Sequence, residues 1–236
     1  MICACKKAGL KVGVTAVSHD VVINLLEETM QCAKDMTLEL STVHCQDGKY
    51  EGKWDITFDR NYDNLQDRLT NNTIDLLGGT AFCWARPAFT QSVDVLYIDE
   101  AGQMALGNAL AVAQCAKTLV ILGDPQQLEQ PTQSSHPENC NVSALEYFLD
   151  GAPTMHADKG MFLENTHRLH PDITKFTSEV YYENRLTSVP ELVNQQLVGC
   201  TTYSGSSLEY LSVEHKGNTS KSIEEVEVVA LSLIHI

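Results

Sequence analysis

Residues 93–131 read VDVLYIDEAGQMALGNALAVAQCAKTLVILGDPQQLEQP. Two apolar runs, Val93 to Ile98 and Thr118 to Leu122, flank an Ala-rich stretch with helical spacing. Short continuous apolar runs suit strands buried on both faces, and a helix between two of them makes a parallel strand, helix, strand unit. The first run ends in Asp99-Glu100 and the second in Gly123-Asp124-Pro125-Gln126-Gln127, so both polar clusters leave the sheet at one edge. That carboxyl edge is where open α/β sheets bind ligands.

The residue types in these clusters suit phosphate chemistry. A carboxylate at a strand end can hold Mg²⁺ directly or through water, and the next one can polarise a water for attack on a γ-phosphate. A Gln on the adjoining strand can hydrogen-bond that phosphate or that water. YIDEAGQM and GDPQQL resemble motifs II and III of superfamily 1 helicases, most closely the Upf1-like 5′-to-3′ branch. The resemblance implies an α/β, RecA-like parallel sheet with flanking helices, the P-loop NTPase fold, with ATP and Mg²⁺ as cofactors. It gives Asp99 the metal, Glu100 the role of catalytic base, and Gly123, Asp124 and Gln127 the nucleotide.

Upstream, Leu10 to Ala16 reads as a strand. Ser18 is a plausible cap for a helix through Ala33 with apolar positions Val22, Leu25, Leu26 and Met30. VGVTAVSHDVVINLL resembles motif Ia of the same family, which implies contacts from Thr15, Ser18 and His19 to phosphates of single-stranded nucleic acid. Thr73 to Thr80 reads as another strand. GGTAFCWARP after it resembles motif Ic, implying a further contact from Thr80; Arg86 is either a phosphate contact or a surface charge. Between them, residues 41–72 are polar with scattered aromatic residues and are expected as a small insertion with a satellite core.

Downstream, Val142 to Leu149 is expected as a short helix closing a first domain, 1–151, ahead of a second, 152–236. Gly160 to Glu164 and Leu208 to Val213 are expected as strands of the second domain. Pro171 should open a helix with Ile173, Phe176 and Val180 facing the core, and Ser222 another that runs to the last residue. ENTHRLHPDITKFTSEVYYENRL resembles motif IV, which implies that Arg168 reaches the γ-phosphate as an arginine finger from a second RecA-like domain. His167 stands there where an aromatic residue is common, and Gly102 follows DEA where relatives often carry a larger or polar residue. LGDPQQLEQP, SHPE and VSALEYFLDG together resemble bacterial proteins in which a RecB-like nuclease is joined to a Upf1-like helicase. That implies a nuclease module on the same full-length chain, single-stranded DNA as partner with RNA able to make the same contacts, and a role in DNA repair or processing.

No G-x-x-x-x-G-K-[ST] occurs in the chain; Gly48-Lys49 lacks the upstream Gly and is followed by Tyr50. The phosphate-binding loop is therefore expected upstream of an internal Met1, further motifs beyond the last residue, and the isolated chain is expected not to hydrolyse ATP. A second function fits the same absence: a non-hydrolysing module that holds nucleic acid or a partner. A dinucleotide enzyme is excluded by the lack of G-x-G-x-x-G after the first strand.

A formal charge of −15 over 236 residues rules out a surface that binds nucleic acid everywhere, because phosphate contacts need Lys and Arg. Any strand must follow a local track. Eight cysteines without a C-x-x-C spacing read as reduced thiols and imply a cytoplasmic protein without structural zinc. No apolar segment reaches the roughly 20 residues that span a bilayer, and the first residues do not form a signal peptide.

Overall fold

The computed structural model describes residues 1–127, 142–196, 208 and 210–234. The chain divides into two compact units, Met1–Ala152 and Pro153–Ile236.

The first unit is organised by β5 (Val93–Ile98), in which five of six side chains are buried. It pairs in parallel with β1 (Val12–Thr15) on one side and β6 (Ala116–Ile121) on the other. β1 in turn pairs with β4 (Leu76–Gly78), β4 with β2 (Thr42–His44), and β2 with β3 (Ile56–Phe58), all parallel. The result is a six-stranded sheet in the order β3-β2-β4-β1-β5-β6, flanked by helices. The apolar runs predict the parallel strands, and the α/β, RecA-like arrangement is the one that the helicase resemblance implies. The interval 41–72, expected as an insertion, instead supplies the strands β2 and β3 at one end of the sheet and helix α3 (Tyr62–Thr70).

The opening helix, α1 (Ile2–Lys7), ends where Gly9 adopts a φ of +74°. Helix α2 (His19–Asp35) begins at Ser18, whose hydroxyl accepts from the Val21 amide at 3.3 Å. Its buried face carries Val22, Leu26, Thr29 and Ala33. Helix α4 (Ala81–Trp84) follows β4 and drives Trp84 into the core, where its indole N–H donates to the Val14 carbonyl at 3.0 Å. A Cβ on Gly13 would sit 2.6 Å from that indole, so only glycine lets the ring lie across β1. Helix α5 (Leu106–Ala113) links β5 to β6, and α6 (Ala144–Leu149) packs back near the end of β5 through the Ala144 amide and the Met104 carbonyl at 2.8 Å.

In the second unit, β7 (Asn165–Thr166) and β8 (Thr187–Ser188) form a two-residue parallel pair. The expected strand over 160–164 is not formed, and the described residues of 208–213 are not strand either. Helix α7 (Pro171–Tyr181) starts at Pro171, but its buried positions are Thr174 and Ser178. Phe176 and Val180, expected in the core, are 54% and 53% exposed. The reason is hydrogen bonding. Thr174 meets the Ser188 hydroxyl at 2.6 Å, and the Ser178 hydroxyl accepts from the Leu186 amide at 3.0 Å, so the helix lays its polar face on the segment around β8. Helix α8 (Ile223–Ile234) begins one residue after Ser222, whose hydroxyl accepts from the Glu225 amide. Among the described residues, no helix is long and apolar enough to cross a membrane.

Candidate nucleotide and nucleic-acid site

Because all six strands run parallel, their carboxyl ends form one edge. β5 and β6 deliver the acidic turn and the Gly-Asp-Pro loop there, while β1, β4 and β2 deliver Thr15, Thr80 and His44 beside them.

The two polar loops are locked together through their backbones. Ile98 accepts from the Leu122 amide and Leu122 accepts from the Ala101 amide, each at 2.8 Å. A Cβ on Gly102 would lie 2.4 Å from the Asp124 carbonyl oxygen, and one on Gly123 would lie 2.9 Å from the Ala101 nitrogen. Both glycines are therefore required by close backbone approach. This accounts for glycine at position 102, where the helicase motif often has a larger or polar residue.

Glu100 occupies the left-handed region at φ +52°, uncommon for a residue with a Cβ. Its amide donates to the Asp99 carboxylate at 3.0 Å, and its own carboxylate accepts from the Gln103 side chain at 3.5 Å. The Gln103 amide also donates to the Glu100 carbonyl at 2.9 Å. A turn held this tightly aims two adjacent carboxylates differently: Asp99 folds back on the turn while Glu100 is carried on its bend. Asp124 accepts from the Gln126 amide at 3.0 Å, which shapes the loop leading to Gln127. Gln127 is exposed and is the last described residue before 142.

Among the described residues, no three His, Cys, Asp or Glu side chains gather to hold a metal by themselves. The half-buried Asp99 nonetheless suits Mg²⁺, which is held by one or two carboxylates while phosphate oxygens and waters complete its shell.

The candidates for strand contact are placed unequally. Thr15 is wholly buried; its carbonyl accepts from the Asp99 amide at 2.9 Å and its hydroxyl is closed off from solvent. It therefore supports the acidic turn and does not present its hydroxyl to a phosphate. Ser18 spends its hydroxyl capping α2, and His19, the first residue of that helix, is half-exposed. Its Nδ1 lies 3.1 Å from Nε2 of His44. Thr80 precedes α4 without capping it by its side chain.

Two further side chains follow Thr80: Phe82, for which no role is expected, and Arg86, expected as either a phosphate contact or a surface charge. Phe82 is 88% exposed, because its neighbours Cys83 and Trp84 take the buried positions of the same short helix. Arg86, one turn further, lays its guanidinium 3.8 Å from the centre of the Tyr62 ring. An exposed phenyl, and four residues on a cation stacked on an aromatic ring, are side chains suited to unpaired bases and phosphates. The signal for Phe82 was the Cys-Trp pair after it, which fixes which way the helix faces.

Arg168 belongs to the second unit, where it is exposed and its amide donates to the Thr166 hydroxyl at 3.2 Å. His167 before it is exposed as well.

Comparison with known proteins agrees with this fold. The model of the viral superfamily 1 RNA helicase core domain matches residues 59–229. The 5′-3′ DNA helicase ZGRF1 of Mus musculus is 29% identical over 125 residues, covering 51% of this chain and 6% of that protein. The chain thus spans a small fraction of that relative's length. On the match across residues 59–229, the chain belongs to the superfamily 1 helicase core family.

Proposed function

We propose that this chain belongs to a Upf1-like motor that hydrolyses ATP and moves along single-stranded DNA. The observation that carries this reading is the mutual locking of the acidic turn and the Gly-Asp-Pro loop at one sheet edge, beside the elements that carry His19, Thr80 and Phe82. In this role Glu100 takes the proton of the water that attacks the γ-phosphate, as the bond to ADP breaks. Gln127 hydrogen-bonds the γ-phosphate and relays its presence to the strand contacts. Arg168, from a second RecA-like domain, donates to the γ-phosphate oxygens as negative charge develops. Asp99 would hold Mg²⁺, which when bound neutralises phosphate charge.

On the strand side, His19 and Thr80 bind phosphates, Phe82 stacks on a base and Arg86 supplies a local positive charge on an otherwise acidic chain. DNA as the track is supported by ZGRF1, a DNA helicase, while the matching family model is of viral RNA helicases. Motifs resembling RecB-like nuclease fusions support a role in DNA repair or processing with a nuclease module on the full-length chain, and the eight cysteines without a C-x-x-C spacing support a cytoplasmic location. The test is a fusion that places a superfamily 1 phosphate-binding loop ahead of residue 1. It should hydrolyse ATP faster when oligo(dT) is added, and a fusion that binds MgATP yet never hydrolyses it would overturn the motor reading.

The absence of a G-x-x-x-x-G-K-[ST] supports a second reading, a module that binds single strands without turnover. Under that reading the unfused chain holds oligo(dT) with full affinity, and the fusion gains nothing.

A further inference from the structure

His44, the last residue of β2, is wholly buried, yet the chemistry proposed above makes no use of it. The Phe58 ring meets it in a T-shaped contact with ring centres 5.1 Å apart at 85°, and His19 lies against it from the start of α2 with ring centres 5.1 Å apart at 50°. Its Nε2 lies 3.1 Å from His19 Nδ1, while its own Nδ1 is buried without a partner.

These contacts decide where the protons sit. Burial and the neighbouring His19 push the His44 pKa down to about 4, so at neutral pH the ring carries one proton. On Nδ1 that proton would be a buried donor with no acceptor, the costlier kind of unpaired group. On Nε2 it is donated to His19 Nδ1, and a bare lone pair on Nδ1 is all that stays unmatched. His19 Nδ1 then has to accept, which leaves the proton of a neutral His19 on Nε2, the remaining polar atom of a half-exposed ring.

We infer that His44 is a positioning residue that fixes His19 in the Nε2–H form, making it a hydrogen-bond donor to a strand phosphate oxygen without requiring a charged ring. The opposite tautomer would turn a lone pair toward the phosphate and repel it. The same logic governs metal-bound histidines, where a partner on one ring nitrogen sets the task of the other. This inference rests on the reading of His19 as a strand contact.

The test has a spectroscopic arm and a binding arm, both on the chain as it stands. Long-range ¹H–¹⁵N correlation at neutral pH should show His44 and His19 both protonated on Nε2; a proton on Nδ1 of His44 overturns the inference. In the binding arm, oligo(dT) affinity is read by fluorescence anisotropy. His44→Phe keeps a ring but lacks the donor, and should weaken binding about fivefold to tenfold while His19 loses its single tautomer. His44→Gln, which offers an amide N–H near the Nε2 position, should recover most of that loss. In the double variant with His19→Phe, the His44 substitution should cost nothing further. Weaker binding with the His19 tautomer unchanged would mean a merely structural role and overturn the inference. If the chain binds no oligo(dT) while the tautomers are as stated, the strand-contact reading of His19 fails and the role assigned to His44 falls with it. Normal binding by His44→Phe overturns the positioning role alone.

Discussion

The amide of Asp99 donates to the carbonyl of Thr15 at 2.9 Å, so the acidic turn hangs from the strand that leads into Ser18 and His19. β1 stands between the two halves of the sheet edge. β5 and β6, with the carboxylates, lie on one side, and β4 and β2, with Thr80 and His44, lie on the other. A change in the acidic turn therefore has a one-hydrogen-bond route to the strand that carries the motif Ia residues.

Glu100→Gln removes the proton acceptor while keeping the shape of the side chain. In the fusion described above it should lower kcat for ATP hydrolysis about a hundredfold or more, with MgATP affinity within about twofold of the parent. Steady-state hydrolysis with a fluorescent-nucleotide titration checks both. Glu100→Gly should be equally inactive but should raise thermal stability by about 1 kcal/mol, because glycine adopts a φ of +52° without strain. Calorimetry separates the two variants.

Gly102→Ala forces a methyl to within 2.4 Å of the Asp124 carbonyl, against backbone that cannot swing aside. The expected cost is about 1–3 kcal/mol. Denaturant unfolding should show a lower midpoint with an unchanged slope, and hydrolysis by the fusion should fall with it because both loops shift.

Phe82→Ala removes a side chain that is 88% exposed, so thermal stability should stay within about 0.5 kcal/mol. Oligo(dT) affinity should drop about tenfold, the worth of one stacked base. Arg86→Ala should instead reduce the dependence of log affinity on log salt by about one. Anisotropy titrations at several salt concentrations tell a lost stack from a lost charge.

The pKa of His44 falls to about 4 on folding, from an ordinary value of 6.5. Between these pH values the unfolded chain binds a proton that the buried imidazole refuses. Stability should therefore decline as pH drops from about 6.5 toward 4, and level off for this group below that. His44→Phe should remove this part of the slope in urea unfolding followed across the same pH range. Asp94 acts in the same sense as His44: Lys117 and the Lys11 amide hold its carboxyl below the ordinary value, so its contribution is present at neutral pH and is lost on strong acidification.

Some of this was legible in the residues and some was not. β5 and β1 announced themselves because central strands buried on both faces are apolar over most of their length, and Ser18 marked the start of α2 because a hydroxyl there satisfies a free amide. β2 and β3 were hidden because three-residue strands set in polar sequence carry no detectable period. The face of α7 was misread for a different reason. Thr174 and Ser178 outcompete Phe176 and Val180 for the inside by hydrogen bonds to residues 186 and 188, and such partners are invisible along the helix itself. At the site, Asp99, Glu100 and Gly123 could be located as strand ends. The left-handed backbone of Glu100 has no side-chain signature, and the burial of Thr15 depends on neighbours from strands distant in sequence.

The indole of Trp84, bonded to Val14 across Gly13, has a practical use beyond packing. The chain has two tryptophans, and the other, Trp54, lies between Lys34 and Lys53 at the far end of α2 from His19. A Trp54→Phe chain would emit from one sealed fluorophore two residues beyond Phe82. Its intrinsic light would then register events at the sheet's working rim without any attached dye.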